Sequence, residues 1–377
     1  MKKILIIIGT RPEAIKMAPV IKELQKNKKF FNLKICITGQ HKKMLKQVLD
    51  FFEIKTHFDI NVMKKNQSLE NLTSKILTKI GFVIENLKPQ LVLVHGDTTT
   101  TLAASLACYY KKITVCHVEA GLRTGNLYSP WPEEINRKLT SHIAKIHFSP
   151  TKLAKKNLKL EGIDEKNIIV TGNTVIDSLL FTKKKILKSN LIKKRLKKKF
   201  SFLEGNKKVI LVTGHRRENF GTDFINIFKA LKYIALNNKK IIIVYPIHLN
   251  PKVLLPAKKM LGKIPNIFLI QPEDYLSFVY LMNKSYLIVS DSGGIQEEAP
   301  SLGKPVLVTR NTTERPEALK AGTAKLVGTN TRNIIKNVQG LLKNKNNYNK
   351  LSKSHNPYGN GLAAKKIINY LKLLKKL

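Results

Sequence analysis

A stretch of small and polar residues after an apolar run near position 290 has residue types that suit a nucleotide. The run 286–289 predicts a strand, and the sequence SDSGGIQEEAP over 290–300 predicts a turn that opens a helix. Gly293 and Gly294 would let backbone N–H groups approach an anion closely, and a helix start favours negative charge. Glu298, one turn later, would repel phosphate but suits hydroxyl groups such as a ribose diol. Phosphate donors beside a diol acceptor predict a ligand that carries a nucleotide.

Three carboxylates in the first half of the chain could act as general acids or bases. Asp97 and Glu119 follow apolar, strand-like runs, and Glu133 follows a Trp-Pro pair. Asp97 precedes four threonines and could instead cap their helix, and Glu133 could be an ordinary acid of a first helical turn. Glu119 leaves an apolar strand, where a carboxylate without partners is costly to bury, so a functional role is favoured for it.

Cationic residues follow other predicted strands. Arg11 and Lys16 come shortly after the first apolar run and could both face a diphosphate, although they could also be exposed cations of a turn. His215 follows a strand and precedes two arginines. A lone histidine is more often structural, but in this setting it could donate a proton or contact a phosphate.

Several familiar kinds of site are missing from the sequence. The chain has no G-x-G-x-x-G fingerprint, so we expect no bound NAD. It has no ligand spacing typical of zinc and no serine in a nucleophile elbow. Its three cysteines show no metal-binding or redox spacing, so we interpret them as buried thiols of a cytoplasmic protein. We therefore expect neither a cofactor nor a metal.

The formal net charge of +43 raises nucleic acid as a possible partner. Nearly all of the excess is lysine, whereas proteins that read bases and phosphates depend on the planar fork of arginine. We expect no specific nucleic-acid partner and only salt-sensitive, nonspecific binding to polyanions. No apolar run is long enough to span a membrane, and the apolar N-terminus predicts a buried strand rather than a secretion signal.

Apolar runs alternate with helix-like stretches along the chain, which predicts an α/β fold with doubly wound parallel sheets. The predicted strands span 4–8, 33–37, 91–94, 113–118, 146–148 and 168–170, and then 208–212, 240–244, 267–270, 287–289, 306–308 and 325–327. We expect two Rossmann-like domains over 1–175 and 176–360, with a helix in 361–377 that packs back on the first. Because the polar clusters follow strands, the predicted active site lies in the cleft between the domains.

Taken in order, these segments resemble the non-hydrolysing UDP-N-acetylglucosamine 2-epimerases of bacteria over positions 9–361. The most specific pieces are GTRPEAIKMAP at 9–19, HGDTTTT at 95–101, HVEAGLRT at 117–124, PWPEE at 130–134, GHRRE at 214–218, and the segment 292–303. The resemblance implies a glycosyltransferase-B-like fold and reversible conversion of UDP-N-acetylglucosamine to UDP-N-acetylmannosamine. It also implies a cytoplasmic homodimer, with no NAD or essential metal, that supplies N-acetylmannosamine for a cell-surface polysaccharide.

The same resemblance implies roles for particular residues. Those matching the diphosphate-binding positions are Arg11, Lys16, His215, Ser292, Gly293, Gly294 and Arg315. Glu298 would bind the ribose, the segment around Glu273 and Phe278 would hold the uracil, and the catalytic positions are Asp97, Glu119, Glu133 and His215. Gln47 and His248 match positions associated with a second, activating UDP-N-acetylglucosamine, whereas Lys43 stands where some relatives carry Gln.

The chemistry implied by the family explains this set of groups. The proton on carbon 2 of the sugar has no adjacent carbonyl and is barely acidic, so the family eliminates UDP to give 2-acetamidoglucal and then adds it back. Positive charge must stabilise the departing UDP, and carboxylates must serve as base and acid. The sequence leaves open which acid faces which side of the sugar. It also leaves three alternatives: a glycosyltransferase of the same fold, a hydrolysing epimerase that releases free N-acetylmannosamine, and a protein that binds polyanions by charge alone.

Overall fold

The computed structural model describes residues 1–39, 42–64, 67–353 and 355–374, with the side chains of Lys42, Lys43 and Arg217 left out. The described chain forms two compact units. The first comprises residues 1–178 together with 358–377, and the second comprises residues 179–357.

The described residues of the first unit form a seven-stranded, wholly parallel sheet. Its strands are β1 (Lys2–Ile8), β2 (Phe31–Ile37), β3 (Phe58–Asp59), β4 (Leu91–His95), β5 (Thr114–Val118), β6 (Ile146–Ser149) and β7 (Ile168–Val170). They lie in the order β3-β2-β1-β4-β5-β6-β7. The connecting helices are α1 (Arg11–Lys26), α2 (Lys42–Phe51), α3 (Leu69–Leu87), α4 (Thr99–Tyr110), α5 (Glu133–Ile143) and α6 (Lys152–Leu160), followed by α7 (Thr174–Lys188), which runs into the second unit.

The described residues of the second unit form a six-stranded parallel sheet in the order β10-β9-β8-β11-β12-β13. The strands are β8 (Lys208–Thr213), β9 (Ile241–Pro246), β10 (Ile267–Ile270), β11 (Leu287–Ser290), β12 (Val306–Val308) and β13 (Ala324–Leu326). The helices are α8 (Asn190–Lys199), α9 (Thr222–Leu236), α10 (Pro251–Leu261), α11 (Tyr275–Lys284), α12 (Gly293–Glu298), α13 (Pro316–Lys320), α14 (Thr331–Lys343) and α15 (Lys345–Ser352). Short 3-10 helices span Glu165–Asn167 in the first unit and Ser201–Leu203, Arg217–Asn219 and Ala299–Leu302 in the second.

The prediction of doubly wound parallel sheets is confirmed, and the ends of the predicted strands differ from the observed ends by at most two residues. The strand β3 was not predicted, because two residues with one half-buried phenylalanine leave no apolar run to recognise. Strands such as β1, with residues 4–8 fully buried, read as continuous apolar runs because both faces of a parallel sheet are covered by helices. In each sheet the strand order reverses direction beside the first strand, at β1/β4 and at β8/β11, where α/β proteins commonly bind ligands.

The last helix, α16 (Ala363–Leu373), belongs to the first unit and packs against α1. The N-cap residue of this helix, Leu362, offers no capping side chain. Instead, the carboxylate of Asp177 accepts hydrogen bonds from the backbone N–H groups of Ala363 at 3.2 Å and Ala364 at 3.0 Å. Burial raises the pKa of Asp177 to about 6, although these hydrogen bonds oppose the shift. The helix start and Asp177 therefore form one titratable contact.

All three cysteines, Cys36, Cys108 and Cys116, are free and buried, as predicted. Burial raises the pKa of each thiol, to about 12 for Cys36 and Cys116, so all three remain protonated and unreactive at neutral pH. Within the described residues, no helix combines the length and the apolar character that crossing a bilayer would require.

Candidate active site

Glu119 lies at the centre of the polar edge of the first sheet, directly after β5. Its Oε2 forms an ion pair with Lys16 Nζ from α1 and accepts a hydrogen bond from Asn173 Nδ2 at 2.7 Å. The side chains of Lys16 and Glu119 are only 12% and 7% exposed. The backbone of Glu119 has φ +66°, a left-handed conformation that residues other than glycine rarely adopt. The strained backbone and the two partners together fix the direction of a nearly buried carboxylate.

Asp97 occupies the loop after β4 and is held by Arg137 of α5. Arg137 donates to Asp97 Oδ2 from Nε at 3.0 Å and from Nη2 at 2.6 Å, while Asn136 donates to the Asp97 carbonyl at 2.9 Å. The helix α4 is capped by Thr98, whose side chain accepts from the N–H of Thr101. The alternative that Asp97 caps this helix is therefore wrong, and its carboxylate is positioned by a guanidinium instead.

Glu133 is the first residue of α5 and is half-buried there. Its neighbour Glu134 is fully buried and accepts from Arg137 Nη1 at 2.8 Å. Glu134 also accepts from the N–H groups of Thr124 and Gly125 at 3.0 and 3.1 Å, which ties the preceding loop to the helix. Arg137 thus joins the element that carries Glu133 to the loop that carries Asp97.

Glu13 anchors the start of α1, where Arg11 lies, a role that we did not predict. It forms a capping box with Thr10 at the start of α1 and accepts from Thr98 Oγ1 at 2.8 Å and Thr101 Oγ1 at 3.2 Å. The spacing Thr-x-x-Glu at 10–13 is the sequence signature of a capping box and could have revealed the first contact. Arg11 itself is half-buried in the first turn of α1.

In the second unit, buried Asp291 positions His215. Asp291 Oδ2 accepts from the backbone N–H groups of His215 and Arg216, both at 2.8 Å, and its Oδ1 lies 3.3 Å from His215 Nδ1. The His215 side chain is 43% exposed. Burial lowers the pKa of His215, whereas the facing Asp291 carboxylate acts to raise it. An imidazole oriented in this way at the end of β8 fits a proton-transfer or phosphate-contacting role.

Glu314 forms ion pairs with three arginines at the same edge of the second sheet. It accepts from Arg216 Nη2 at 3.1 Å, from Arg310 Nη1 at 2.6 Å and from Arg315 Nη1 at 3.0 Å. Burial acts to raise the pKa of Glu314, but the three guanidinium groups hold it far below its usual range. Arg315 also donates to Glu297 at 2.9 Å, so its orientation is fixed by two carboxylates.

Gly293 and Gly294 open α12, which has six residues and begins directly after Ser292. A Cβ on Gly293 would lie 2.9 Å from Glu314 Oε1 and 3.1 Å from Arg315 Cζ. Glycine at position 293 therefore keeps an added Cβ from crowding the Glu314–Arg315 pair, and the anion contact of Gly293 and Gly294 stays a prediction.

The residues matched to ribose and uracil binding lie on or next to α11 and α12 of the second unit. Glu298 accepts from the hydroxyl of Tyr275 at 2.8 Å. Glu273 pairs with Lys199, and Phe278 is half-buried one turn into α11. The lysine pairing shows that Glu273 is charge-balanced within its own unit.

Of the two residues matched to an activating site, Gln47 is exposed on α2 of the first unit. His248 lies after β9, and its ring stacks on that of His215 with 6.1 Å between the ring centres. The side chain of Lys43 lies outside the described residues. No group of three or more His, Cys, Asp or Glu side chains is arranged to hold a metal within the described part of the chain.

Two Rossmann-like parallel sheets, each with a polar edge at its switch point, define a protein of the glycosyltransferase-B-like fold class. The family model described as UDP-N-acetylglucosamine 2-epimerase matches residues 22–372. The UDP-N-acetylglucosamine 2-epimerase of Salmonella typhimurium is 53% identical over 370 residues, covering 98% of both chains. This chain therefore belongs to the UDP-N-acetylglucosamine 2-epimerase family, as its motifs predicted, and family members are isomerases.

Solved structures agree with this assignment. The crystal structure of the UDP-GlcNAc 2-epimerase from Neisseria meningitidis bound to UDP-GlcNAc matches with a TM-score of 0.94 and 54% identity, covering 98% of this chain and 99% of that one. The enzyme from Methanocaldococcus jannaschii, in complex with UDP-GlcNAc and UDP, matches with a TM-score of 0.83 and 35% identity over 98% and 99% of the two chains.

Proposed function

We propose that the protein converts UDP-N-acetylglucosamine reversibly to UDP-N-acetylmannosamine, without hydrolysing the product. The observation that carries the proposal is the pair of oriented carboxylates, Asp97 and Glu119, in a chain of this family. An epimerase that moves a barely acidic proton needs a base and an acid held in fixed positions. Both carboxylates meet that need, because each is fixed by a cationic partner at the same sheet edge.

The first unit would act on the sugar. One carboxylate takes the carbon 2 proton as the bond from carbon 1 to UDP breaks, and a carboxylic acid returns a proton to the opposite face when UDP adds back. Asp97, Glu119 and Glu133 are the proposed acid–base groups. Lys16, which pairs with Glu119 here, would exchange that partner for the diphosphate when substrate binds. Loss of the cation would make Glu119 a stronger base only once UDP-sugar is present.

The second unit would bind the UDP. His215, Arg315 and the Ser292–Gly294 backbone are the proposed contacts of the diphosphate, together with Arg11 of the first unit. Glu298, oriented by Tyr275, would accept hydrogen bonds from the ribose. The segment with Glu273 and Phe278 would hold the uracil. Cations already fixed in place stabilise a leaving diphosphate without having to reorganise during the reaction.

Deuterium exchange tests the proposal directly. The purified protein is incubated with UDP-N-acetylglucosamine in deuterium oxide, and both sugars are examined at carbon 2. We expect deuterium in both epimers, because the proton is lost to a group that exchanges with solvent. An unlabelled sugar pool without manno product would refute the proposal. Asp97→Asn and Glu119→Gln should each slow exchange by about 10²-fold or more. Glu165→Gln, which changes an exposed carboxylate paired with Lys155, is the matched control.

The same reaction mixture separates the remaining candidates. Free N-acetylmannosamine in place of the UDP-sugar would identify a hydrolysing epimerase. Transfer of sugar to an acceptor with stoichiometric release of UDP would identify a glycosyltransferase, which the fold alone allows. The oriented acids of the first unit favour the epimerase, because sugar transfer does not require removal of the carbon 2 proton. The product would serve a cytoplasmic supply of N-acetylmannosamine for cell-surface polysaccharide.

We also propose that the protein forms a homodimer through an aromatic patch made of Phe82, Tyr109 and Tyr110. These side chains are 61–63% exposed on the adjacent helices α3 and α4. Neighbouring exposed aromatics are typical of interfaces rather than of free surface. Light scattering after size exclusion should give twice the chain mass of 42.7 kDa. Phe82→Ser with Tyr110→Ser should shift it to the monomer, whereas Leu255→Ser, at an exposed leucine of the second unit, should not. A wild-type monomer would refute the dimer.

A further inference from the structure

His95, the last residue of β4, is a buried polar side chain that the roles assigned so far do not use. It is 2% exposed, and neither ring nitrogen has a hydrogen-bond partner among the described residues. Leaving a buried polar group without a hydrogen-bond partner destabilises the folded state, and the four strand residues before His95 are all leucine or valine. A leucine at this position would fill the strand end without that cost, so the imidazole requires a chemical reason.

His117 on the adjacent strand β5 shows what a structural histidine looks like here. Its Nε2 lies 2.7 Å from the carbonyl oxygen of Gly96 and therefore donates to it, which fixes the loop before Asp97. The Nε2 of His95 has no such carbonyl. It lies 3.8 Å from Oε2 of Glu119, just beyond hydrogen-bond distance. A shift of less than about 1 Å would make this contact a hydrogen bond.

The charged groups around His95 come from three elements: Lys16 from α1, Glu119 after β5 and Asp97 after β4. Burial lowers the pKa of His95 to about 4, with Glu119 and Asp97 opposing and Lys16 adding to the shift. The ring is therefore neutral across the physiological range. A neutral imidazole with its proton on Nε2 can donate a hydrogen bond to a carboxylate without neutralising the carboxylate's charge.

We propose that His95 is a positioning residue that holds the Glu119 carboxylate in line for proton transfer by donating a hydrogen bond from Nε2. The inference rests on the proposed function, in which Lys16 leaves Glu119 for the diphosphate of the substrate. At that moment Glu119 loses its cation and keeps Asn173 Nδ2 as a donor. His95 supplies a further donor to the same oxygen, Oε2, so that the carboxylate stays ionised and correctly aimed as the base.

Two substitutions at His95 separate this role from simple packing. The amide nitrogen of glutamine falls near the position of imidazole Nε2, whereas that of asparagine falls near Nδ1. His95→Gln should therefore keep a donor toward Glu119, and His95→Asn should not. We expect His95→Asn to lower kcat for epimerisation about tenfold, the effect of losing one hydrogen bond to a charged group, with KM and UDP affinity unchanged. His95→Gln should retain most of kcat.

The pH profile gives a readout that a packing role would not move. A lost donor destabilises ionised Glu119, so the acidic limb of the kcat profile should shift to higher pH in His95→Asn and stay in place in His95→Gln. His117→Asn and His117→Gln are the controls, and neither should move that limb. The proposal is overturned if the two His95 variants behave alike, whether both are active or both are equally impaired.

A measurement on protein with an intact His95 covers the case in which the His95 variants do not fold. Ring nitrogen NMR of the wild type and of Glu119→Gln, each with UDP bound, should show one neutral imidazole signal that moves with the substitution at Glu119. No change in any neutral imidazole signal would overturn the proposal. A wild-type enzyme without deuterium exchange would instead reject the epimerase function itself, so the two failures are distinguishable.

Discussion

Replacing Arg137 with leucine would remove the guanidinium that joins Asp97 to Glu134. Three charge-assisted hydrogen bonds would be lost, two to Asp97 at 3.0 and 2.6 Å and one to Glu134 at 2.8 Å. The larger cost falls on Glu134, which has no exposed surface and would keep a buried negative charge without its cation. Breaking a buried ion pair on one side typically costs about 3–5 kcal/mol. Asp97, whose side chain is 27% exposed, adds less because water can solvate it.

Urea unfolding followed by circular dichroism measures this loss. We expect Arg137→Leu to lower the free energy of unfolding by about 3–5 kcal/mol, and Glu134→Gln combined with Arg137→Leu to recover part of it, because the buried charge is gone. Arg137→Lys should be intermediate, since it keeps the charge but not the fork that binds two carboxylates.

Activity separates positioning from stability. In the folded fraction of Arg137→Leu, Asp97 loses its orienting partner, so kcat should fall by about 10²-fold or more if Asp97 is an acid–base group. Arg123→Leu is the matched control, because Arg123 is a buried guanidinium that binds Glu161 through two nitrogens. It should lose stability and keep kcat per folded molecule. The reasoning is refuted if Arg137→Leu stays within about 1 kcal/mol of wild type, or if both arginine variants lose kcat equally.

Three further substitutions test separate contacts. The pKa of Asp177 is about 6 in the folded chain, above the ordinary aspartate value, so the stability that this group contributes is present at low pH and is lost as the pH rises through about 6. Urea unfolding at pH 4 and pH 7 should show this loss in the wild type and not in Asp177→Asn. Equal changes in the two proteins would contradict the prediction. Gly293→Ala should displace Arg315 and weaken UDP binding by about tenfold, as measured by calorimetry. Gly340→Ala is the control: an added Cβ there meets nothing within 4 Å, so UDP binding should be unchanged. Tyr275→Phe removes the hydroxyl that donates to Glu298 and should raise the Kd for UDP about fivefold, an effect of about 1 kcal/mol. If Glu298 binds the ribose, the Kd for UMP should rise by the same factor.

The strands and the polar residues that follow them could be predicted because both depend on local sequence. Buried parallel strands appear as apolar runs, and Asp97, Glu119 and His215 each follow such a run directly. The motifs then identified the family, because several weak matches in the same order are together specific. Lys16 and Glu119 were assigned separately, and the structure brings them into one ion pair.

The residues that orient these groups could not be predicted in the same way. Asp291 accepts from backbone groups of His215 and Arg216, about 75 positions earlier, so its role depends on two strands lying side by side. Arg137 lies 40 positions after Asp97, and its bond to Asp97 depends on where α5 packs. Asn173 has no motif at all and contacts Glu119 from the loop after β7. Such contacts follow from the fold rather than from spacing along the chain.

The deep burial of every native thiol makes this chain a convenient host for site-directed labelling. Cys36, Cys108 and Cys116 stay protonated and inaccessible, so maleimide reagents should leave the unmodified protein untouched under native conditions. A cysteine introduced at an exposed position, such as Lys229 on α9 of the second unit, would then be the sole target for a fluorophore or spin label. Probes could be installed singly without first removing any cysteine.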